Sequence, residues 1–300
     1  MPDNNISINH FRIADFCLTI TFKGYTDGMA LLPSFEPFAI EELNTDDQLF
    51  EVTIDDTTKP APKEQRTRIR DFETGNGHTI VDKLNDGGYQ YIIKDINGYE
   101  CCLLVTNKTF TQCRCALNGN YNMRSFGLNN ALMLVFAFSG AHKQALLMHA
   151  SVVRQNDYGY PFIAKSGTGK STQVSMWLRY LPGCDLMNDD NPIIRIIDDK
   201  PVIYGGPWSG KTPCYRNVKA PLGAVTRIAR DEKNYVEKLV PLEAFASVLP
   251  SVSAMKWDTE IYELICDTVK KIVETTDIYI LHCLPNREAA EICNKTIRKA

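Results

Sequence analysis

Nine consecutive residues, Ala164-Lys165-Ser166-Gly167-Thr168-Gly169-Lys170-Ser171-Thr172, carry the most specific chemistry in the chain. Gly167 and Gly169 let a short loop turn its backbone N–H groups inward, where they can surround phosphate oxygens. Lys170 can neutralise the β- and γ-phosphates of a nucleotide, and the Ser171 hydroxyl can hold Mg²⁺. Ala164 stands where the consensus phosphate loop has its first glycine. The flanks fit the assignment. Tyr160-Pro161-Phe162-Ile163 reads as a short buried strand, and Thr172 to Leu181 reads as a helix with Val174, Trp177, Leu178 and Leu181 on one face. Strand, glycine loop and helix together form a phosphate site.

Two further elements could converge on that loop. Asp189 and Asp190 lie nineteen and twenty residues beyond Lys170, at the end of an expected strand Cys184 to Met187. Mg²⁺ is held through one or two carboxylates plus phosphate oxygens. A second carboxylate can take a proton from an incoming hydroxyl. Adjacent strand residues point to opposite sides, so the pair can divide these roles. Taken alone, Asn-Asp-Asp-Asn-Pro is also a turn sequence. His149 ends the expected strand Ala145 to Val153, which reverses through Arg154 to Gly159 into the strand feeding the loop. In isolation it would be an ordinary core histidine.

A third segment, Gly205-Gly206-Pro207-Trp208-Ser209-Gly210-Lys211-Thr212, invites a second phosphate-loop reading. Pro207, Trp208 and the following Pro213 deny it a helix N-terminus. It is expected instead to be a glycine-rich active-site loop with Lys211 and Arg216 as mobile cations; a plain surface loop is the alternative.

These residues need elements to position them. The first 120 or so residues read as β-rich: Phe11 to Phe22, Leu49 to Ile54, and from Thr67 a meander punctuated by Asn76-Gly77, Asp86-Gly87 and Asn97-Gly98. Thr57 to Glu64 reads as an exposed loop, and Gly119 to Ser125 as a linker. An apolar helix Phe126 to Phe138 then opens the second half. Beyond the phosphate loop the expected elements are a hairpin of Ile193 to Ile197 with Val202 to Tyr204, strands at Leu222 to Ala229 and Tyr235 to Val240, and an amphipathic helix Trp257 to Thr276. A buried strand Ile278 to Leu284 and a helix Arg287 to Lys299 follow. The expected division is a β-rich N-terminal domain, 1–120, and a P-loop catalytic domain, 121–300. The mixture of hairpins and helices predicts an α/β chain with a mixed sheet.

Composition bounds the partners. Three hundred residues, 44% hydrophobic and 23% charged, describe a globular chain with a substantial core. A net charge of −3 provides no electrostatic pull toward nucleic acid or an anionic membrane, so neither is expected as a partner. The ten cysteines show no Cys-x-x-Cys pair; Cys113 and Cys115 share a strand face, as core thiols would. All ten are expected to be reduced. With no basic leader before the apolar run Phe16 to Phe22, and Ala131 to Phe138 too short to span a bilayer, the expected location is cytoplasmic.

In order, His149, the Ala-Lys-Ser-Gly-Thr-Gly-Lys-Ser loop, Asp-Asp and Pro-Trp-Ser-Gly resemble the catalytic domain of HPr kinase/phosphorylase and of HPr-kinase-like bacterial proteins with a β-rich N-terminal region. The ending Ile278-Tyr-Ile-Leu-His-Cys-Leu-Pro is similar too. The resemblance covers Leu146 to the C-terminus, and implies a fold shared with ATP-dependent phosphoenolpyruvate carboxykinase and an ATP/Mg²⁺ site. Carried over, it implies Lys170 on phosphates, Ser171 on Mg²⁺, Asp189 as general base, Asp190 as metal contact, and His149 lining the transfer site. Thr172 departs from the Glu that follows the serine in HPr kinases, and their Glu-x-Arg-Gly-x-Gly signature is absent. HPr itself is therefore not the expected acceptor. The expected activity is ATP/Mg²⁺-dependent phosphorylation of a hydroxyl, on a serine of a protein or peptide or on a small molecule. A nucleotide-binding regulatory module without transfer and a carboxykinase-like enzyme are the alternatives. Self-association stays open.

Overall fold

The computed structural model describes residues 5–210 and 212–299. It is a mixed α/β protein with three sheets, and it divides into two compact units, Met1–His142 and Lys143–Ala300.

In the first unit, residues that tolerate positive φ set the turns. Ala14 and Asp15, at φ 50° and 61°, split the expected run Phe11 to Phe22 into an antiparallel hairpin of β1 (Ile6–Ile13) and β2 (Phe16–Lys23). After β3 (Ala39–Ile40) and β4 (Gln48–Ile54) comes a meander of β5 (Arg66–Thr74), β6 (Gly77–Leu84), β7 (Tyr89–Asp95), β8 (Glu100–Thr106) and β9 (Gln112–Leu117). Its first three connections fall at the predicted Asn-Gly and Asp-Gly positions, with Gly87 and Gly98 at positive φ, and the fourth, Asn107 to Thr111, has neither dipeptide. These strands form one nine-stranded mixed sheet, β3-β1-β2-β4-β9-β8-β7-β6-β5.

One helix, α1 (Tyr121–Ala141), packs on β4, β7, β8 and β9. Gly127 permits that approach, since a Cβ there would lie 2.8 Å from the Cys101 carbonyl carbon. The segment expected as a linker is the start of this helix: the Asn120 side chain accepts from the Met123 N–H and caps it. Because α1 buries its face on the first sheet, the first compact unit includes it and runs to His142.

The second unit begins with another correction. The single strand expected over Ala145 to Val153 is two, β10 (Ala145–Leu147) and β11 (Ala150–Gln155), in different sheets. At the break, Met148 N–H donates to the Pro192 carbonyl and His149 N–H to the Ser251 carbonyl at 2.6 Å. Asn156 and Asp157, both at positive φ, turn β11 into β12 (Tyr158–Ile163). Then follow α2 (Lys170–Tyr180), β13 (Asp185–Asp190), β14 (Ile193–Ile197), β15 (Lys200–Tyr204), β16 (Lys219–Pro221), β17 (Val225–Arg230), β18 (Tyr235–Lys238), α3 (Pro241–Val248), α4 (Thr259–Thr275), β19 (Ile278–Cys283) and α5 (Arg287–Ile297).

The two sheets run β10-β14-β15-β16 and β13-β11-β12-β17-β19-β18. In the larger one β12, β17 and β19 are parallel, while β11 is antiparallel to both its neighbours. Helices α2 and α5 cover one face around a core containing Val153, Phe162, Leu281 and Cys293. Trp177 of α2 is fully buried there, its ring 5.6 Å from Tyr160 and 5.4 Å from Phe162. Truncating a buried Trp costs about 3–5 kcal/mol, so this contact is a main reason the helix stays docked beneath the loop. All ten cysteines are unpaired thiols, and Cys113 and Cys115 are buried. Among the described residues no helix is long and apolar enough to cross a membrane.

Candidate phosphate site

Strand polarity assembles the site. Because β11 runs antiparallel to β12 and β13, its start coincides with the ends of both. Ala150 pairs with Ile163 on one side and with Asp190 on the other; Ser151 pairs with Asp189. His149, the loop after Ile163 and the Asp189-Asp190 pair therefore meet at one edge. In open α/β sheets that edge, outside the strand C-termini, is where ligands bind.

The loop makes one tight turn, with Thr168 N–H on the Lys165 carbonyl at 3.1 Å. Gly167 and Gly169 sit at φ 76° and 130°, a region that disfavours side chains. Gly169 caps α2 without a side-chain hydrogen bond, so the first N–H groups of the helix remain open to an anion. Lys165 and Ser166 are exposed.

Behind the loop the polar side chains form a chain of contacts. Lys170, only 9% exposed, donates from Nζ to His149 Nε2 at 2.8 Å and to the Ala164 carbonyl at 3.3 Å. His149 Nδ1 lies 2.9 Å from Asp190 Oδ1. With Nε2 accepting from the lysine, the imidazole proton sits on Nδ1 and faces Asp190. Burial pulls the Lys170 ammonium below its ordinary pKa, and the charges of Asp190 and Asp189 oppose that pull.

Asp189 is 5% exposed and serves other partners. Its Oδ1 accepts from Ser151 Oγ at 2.6 Å and Ser171 Oγ at 3.3 Å, and its Oδ2 from the Thr212 N–H at 3.3 Å. A carboxylate and a hydroxyl sharing one position are hard oxygen donors suited to Mg²⁺. Asp190 has φ 111°, a strained conformation for a residue with a side chain. The segment Gly205 to Gly210 braces the pair: Ser209 Oγ and the Gly210 N–H both donate to the Asp189 carbonyl. Among the described residues no helix follows this segment before β16. Lys211 lies outside the described residues.

Arg216 stands apart from the Asp pair. Its guanidinium pairs with Asp185 at 3.0 Å and donates to the Leu186 carbonyl, at the opposite end of β13 from the Asp pair. A different arginine touches the loop: Arg230 donates to the Gly167 carbonyl and, at 3.1 Å, to that of Thr168.

Sequence reasoning also missed Ser151 and Arg227. Ser151 is the one hydroxyl in the buried run Ala150 to Val153, and a buried polar side chain in such a run is itself a signal. Arg227 shares with His149, Ala164, Lys165 and Ser166 the lining of a cleft of about 810 Å³. A second cleft of about 370 Å³ lies on the helix side of the loop, walled by Gln173, Ile228, Cys283, Leu284 and Pro285.

No protein-family model matches the chain, and no curated protein is similar to it. The functional reading therefore rests on this geometry and on the motifs.

Proposed function

We propose that the protein is an ATP/Mg²⁺-dependent kinase of the HPr-kinase-like kind, transferring the γ-phosphoryl group to a hydroxyl, with a serine of a protein or peptide or a small molecule as acceptor. The observation that carries this reading is the Lys170–His149–Asp190 chain behind the loop. Phosphate binding alone needs a loop and a lysine; an oriented imidazole beside them adds a group that can take the proton of an acceptor hydroxyl.

The loop N–H groups and Lys170 hold the phosphates, while the apolar walls of the helix-side cleft offer a place for the nucleoside. Ser171 and Asp189 would hold Mg²⁺, which supplies charge neutralisation at the phosphate oxygens when bound. Once Lys170 turns to a phosphate, His149 Nε2 is free to accept a proton from the acceptor hydroxyl. The hydroxyl oxygen bonds to the γ-phosphorus, the bond to the β-phosphate oxygen breaks, and ADP leaves. Asp190, fixed on Nδ1, stabilises the imidazolium that forms. This allocation reverses the one implied by resemblance: proton acceptance goes to His149 with Asp190, and the metal side to Asp189.

Calorimetric titration with Mg·ATP tests the foundation. Loss of a charge-assisted contact is worth about 1.5–3 kcal/mol, so Lys170→Ala should weaken binding roughly ten- to hundredfold. Equal affinity in the two proteins would remove the loop assignment.

A further inference from the structure

Arg227 lies in β17, one strand from the loop. The register sets Ile163 beside it in β12 and Ile280 beside it in β19, and Ile280 faces Glu237 in β18. Arg227, Ile280 and Glu237 all line the larger cleft, on the wall shared with His149. Arg227 Nε is buried with no hydrogen-bond partner, and among the described residues the guanidinium has no ion pair. Other arginines of this unit are engaged. Arg230 holds loop carbonyls, and Arg154 and Arg216 hold Asp185. Two acids, Glu237 and Glu243, also line this cleft; Glu237 is two strands away, roughly 10 Å between backbones, and stands 3.6 Å from His282.

Arg227 is half-buried, with only its Nε shut off from solvent, and a guanidinium cannot shed its proton, so the side chain presents a permanent unpaired charge to the cleft. Its planar fork matches carboxylate and phosphate groups. The nucleotide's phosphates already have the loop N–H groups, Lys170 and the start of α2. Arg227 is absent from the lining of the helix-side cleft and faces the His149 side. We propose that Arg227 is the anion clamp of the acceptor: the hydroxyl compound phosphorylated here carries an oxyanionic group, carboxylate or phosphate, which Arg227 holds so that the hydroxyl meets His149. This rests on the kinase reading of the site, and it excludes neutral and purely cationic hydroxyl compounds as good acceptors.

Protein saturated with Mg·ADP is titrated calorimetrically with D-glycerate, glycerol 3-phosphate and glycerol, in the wild type, Arg227→Gln and Arg227→Lys. At least one anion should bind the wild type, at least tenfold more weakly to Arg227→Gln, with partial recovery in Arg227→Lys. Glycerol should bind none of them, and Mg·ADP affinity should stay within twofold throughout. The anion that binds more tightly names the source of the oxyanion. The proposal fails if neither anion binds a wild type that holds Mg·ADP, or if both bind Arg227→Gln equally well. It also fails if Arg227→Gln loses tenfold in Mg·ADP affinity with anion binding untouched, since the arginine would then serve the donor. A wild type that does not bind Mg·ADP at all overturns the nucleotide reading, and this inference with it.

Discussion

Asp189 and Asp190 are neighbours in sequence and face different partners, which makes their roles separable by substitution. Asp189 shares its oxygens with Ser151 and Ser171, whereas Asp190 is bound to His149. Asp189→Asn should therefore weaken Mg·ATP binding at low Mg²⁺ and recover it as Mg²⁺ is raised. Asp190→Asn should bind Mg·ATP within a few-fold of the wild type at any Mg²⁺ concentration; titrations at two Mg²⁺ levels distinguish them. A common loss of binding that Mg²⁺ cannot restore in either variant would contradict the division. The sequence made the pair visible, because alternation along a strand already sends adjacent side chains apart. Which faces which was not legible, since that depends on β11 lying between loop and pair. The place of Arg216 is not legible for a related reason: its partner Asp185 is distant in sequence, and no local pattern announces the contact.

At the scale of elements, local signals were read well and sheet changes were not. The Asn-Gly and Asp-Gly turns and the helix after the loop follow from residues a few positions apart. The break between β10 and β11 carries no glycine or proline; Met148 and His149 cross between sheets because Pro192 and Ser251 take their N–H groups. The same tertiary dependence governs the entry to β13. Burial would raise the Asp185 pKa, but hydrogen bonds from Arg154 and Arg216 overcome it and hold the carboxyl below its ordinary 3.8. A depressed folded pKa contributes stability that is complete above the unfolded value and is lost as pH falls through the folded one. Thermal unfolding followed from pH 7 downward should thus show a steep loss of stability below about pH 4. Asp185→Asn should be less stable at pH 7 and show a shallower acid limb. An unchanged acid limb in the variant would show that this anchor does not matter to folding.

At the scale of the whole molecule, every residue placed in the site belongs to the second unit, and that unit has its own core around Trp177. A fragment spanning residues 143–300 is accordingly expected to bind Mg·ATP with an affinity close to that of the full chain. A fragment that folds and fails to bind would assign the first unit a part in the site. The central claim is transfer chemistry, and its most direct test needs no knowledge of the acceptor, because water can stand in slowly for the hydroxyl. Phosphorus NMR of Mg·ATP incubated with the protein should show steady conversion to ADP and inorganic phosphate. Under the same conditions Asp190→Asn, with Mg·ATP still bound, should be slower by about a hundredfold or more, the scale of losing the carboxylate that orients a catalytic imidazole and stabilises its charged form. Tight ATP binding with no conversion, or equal conversion by Asp190→Asn, would contradict the account and favour a nucleotide-binding regulatory module.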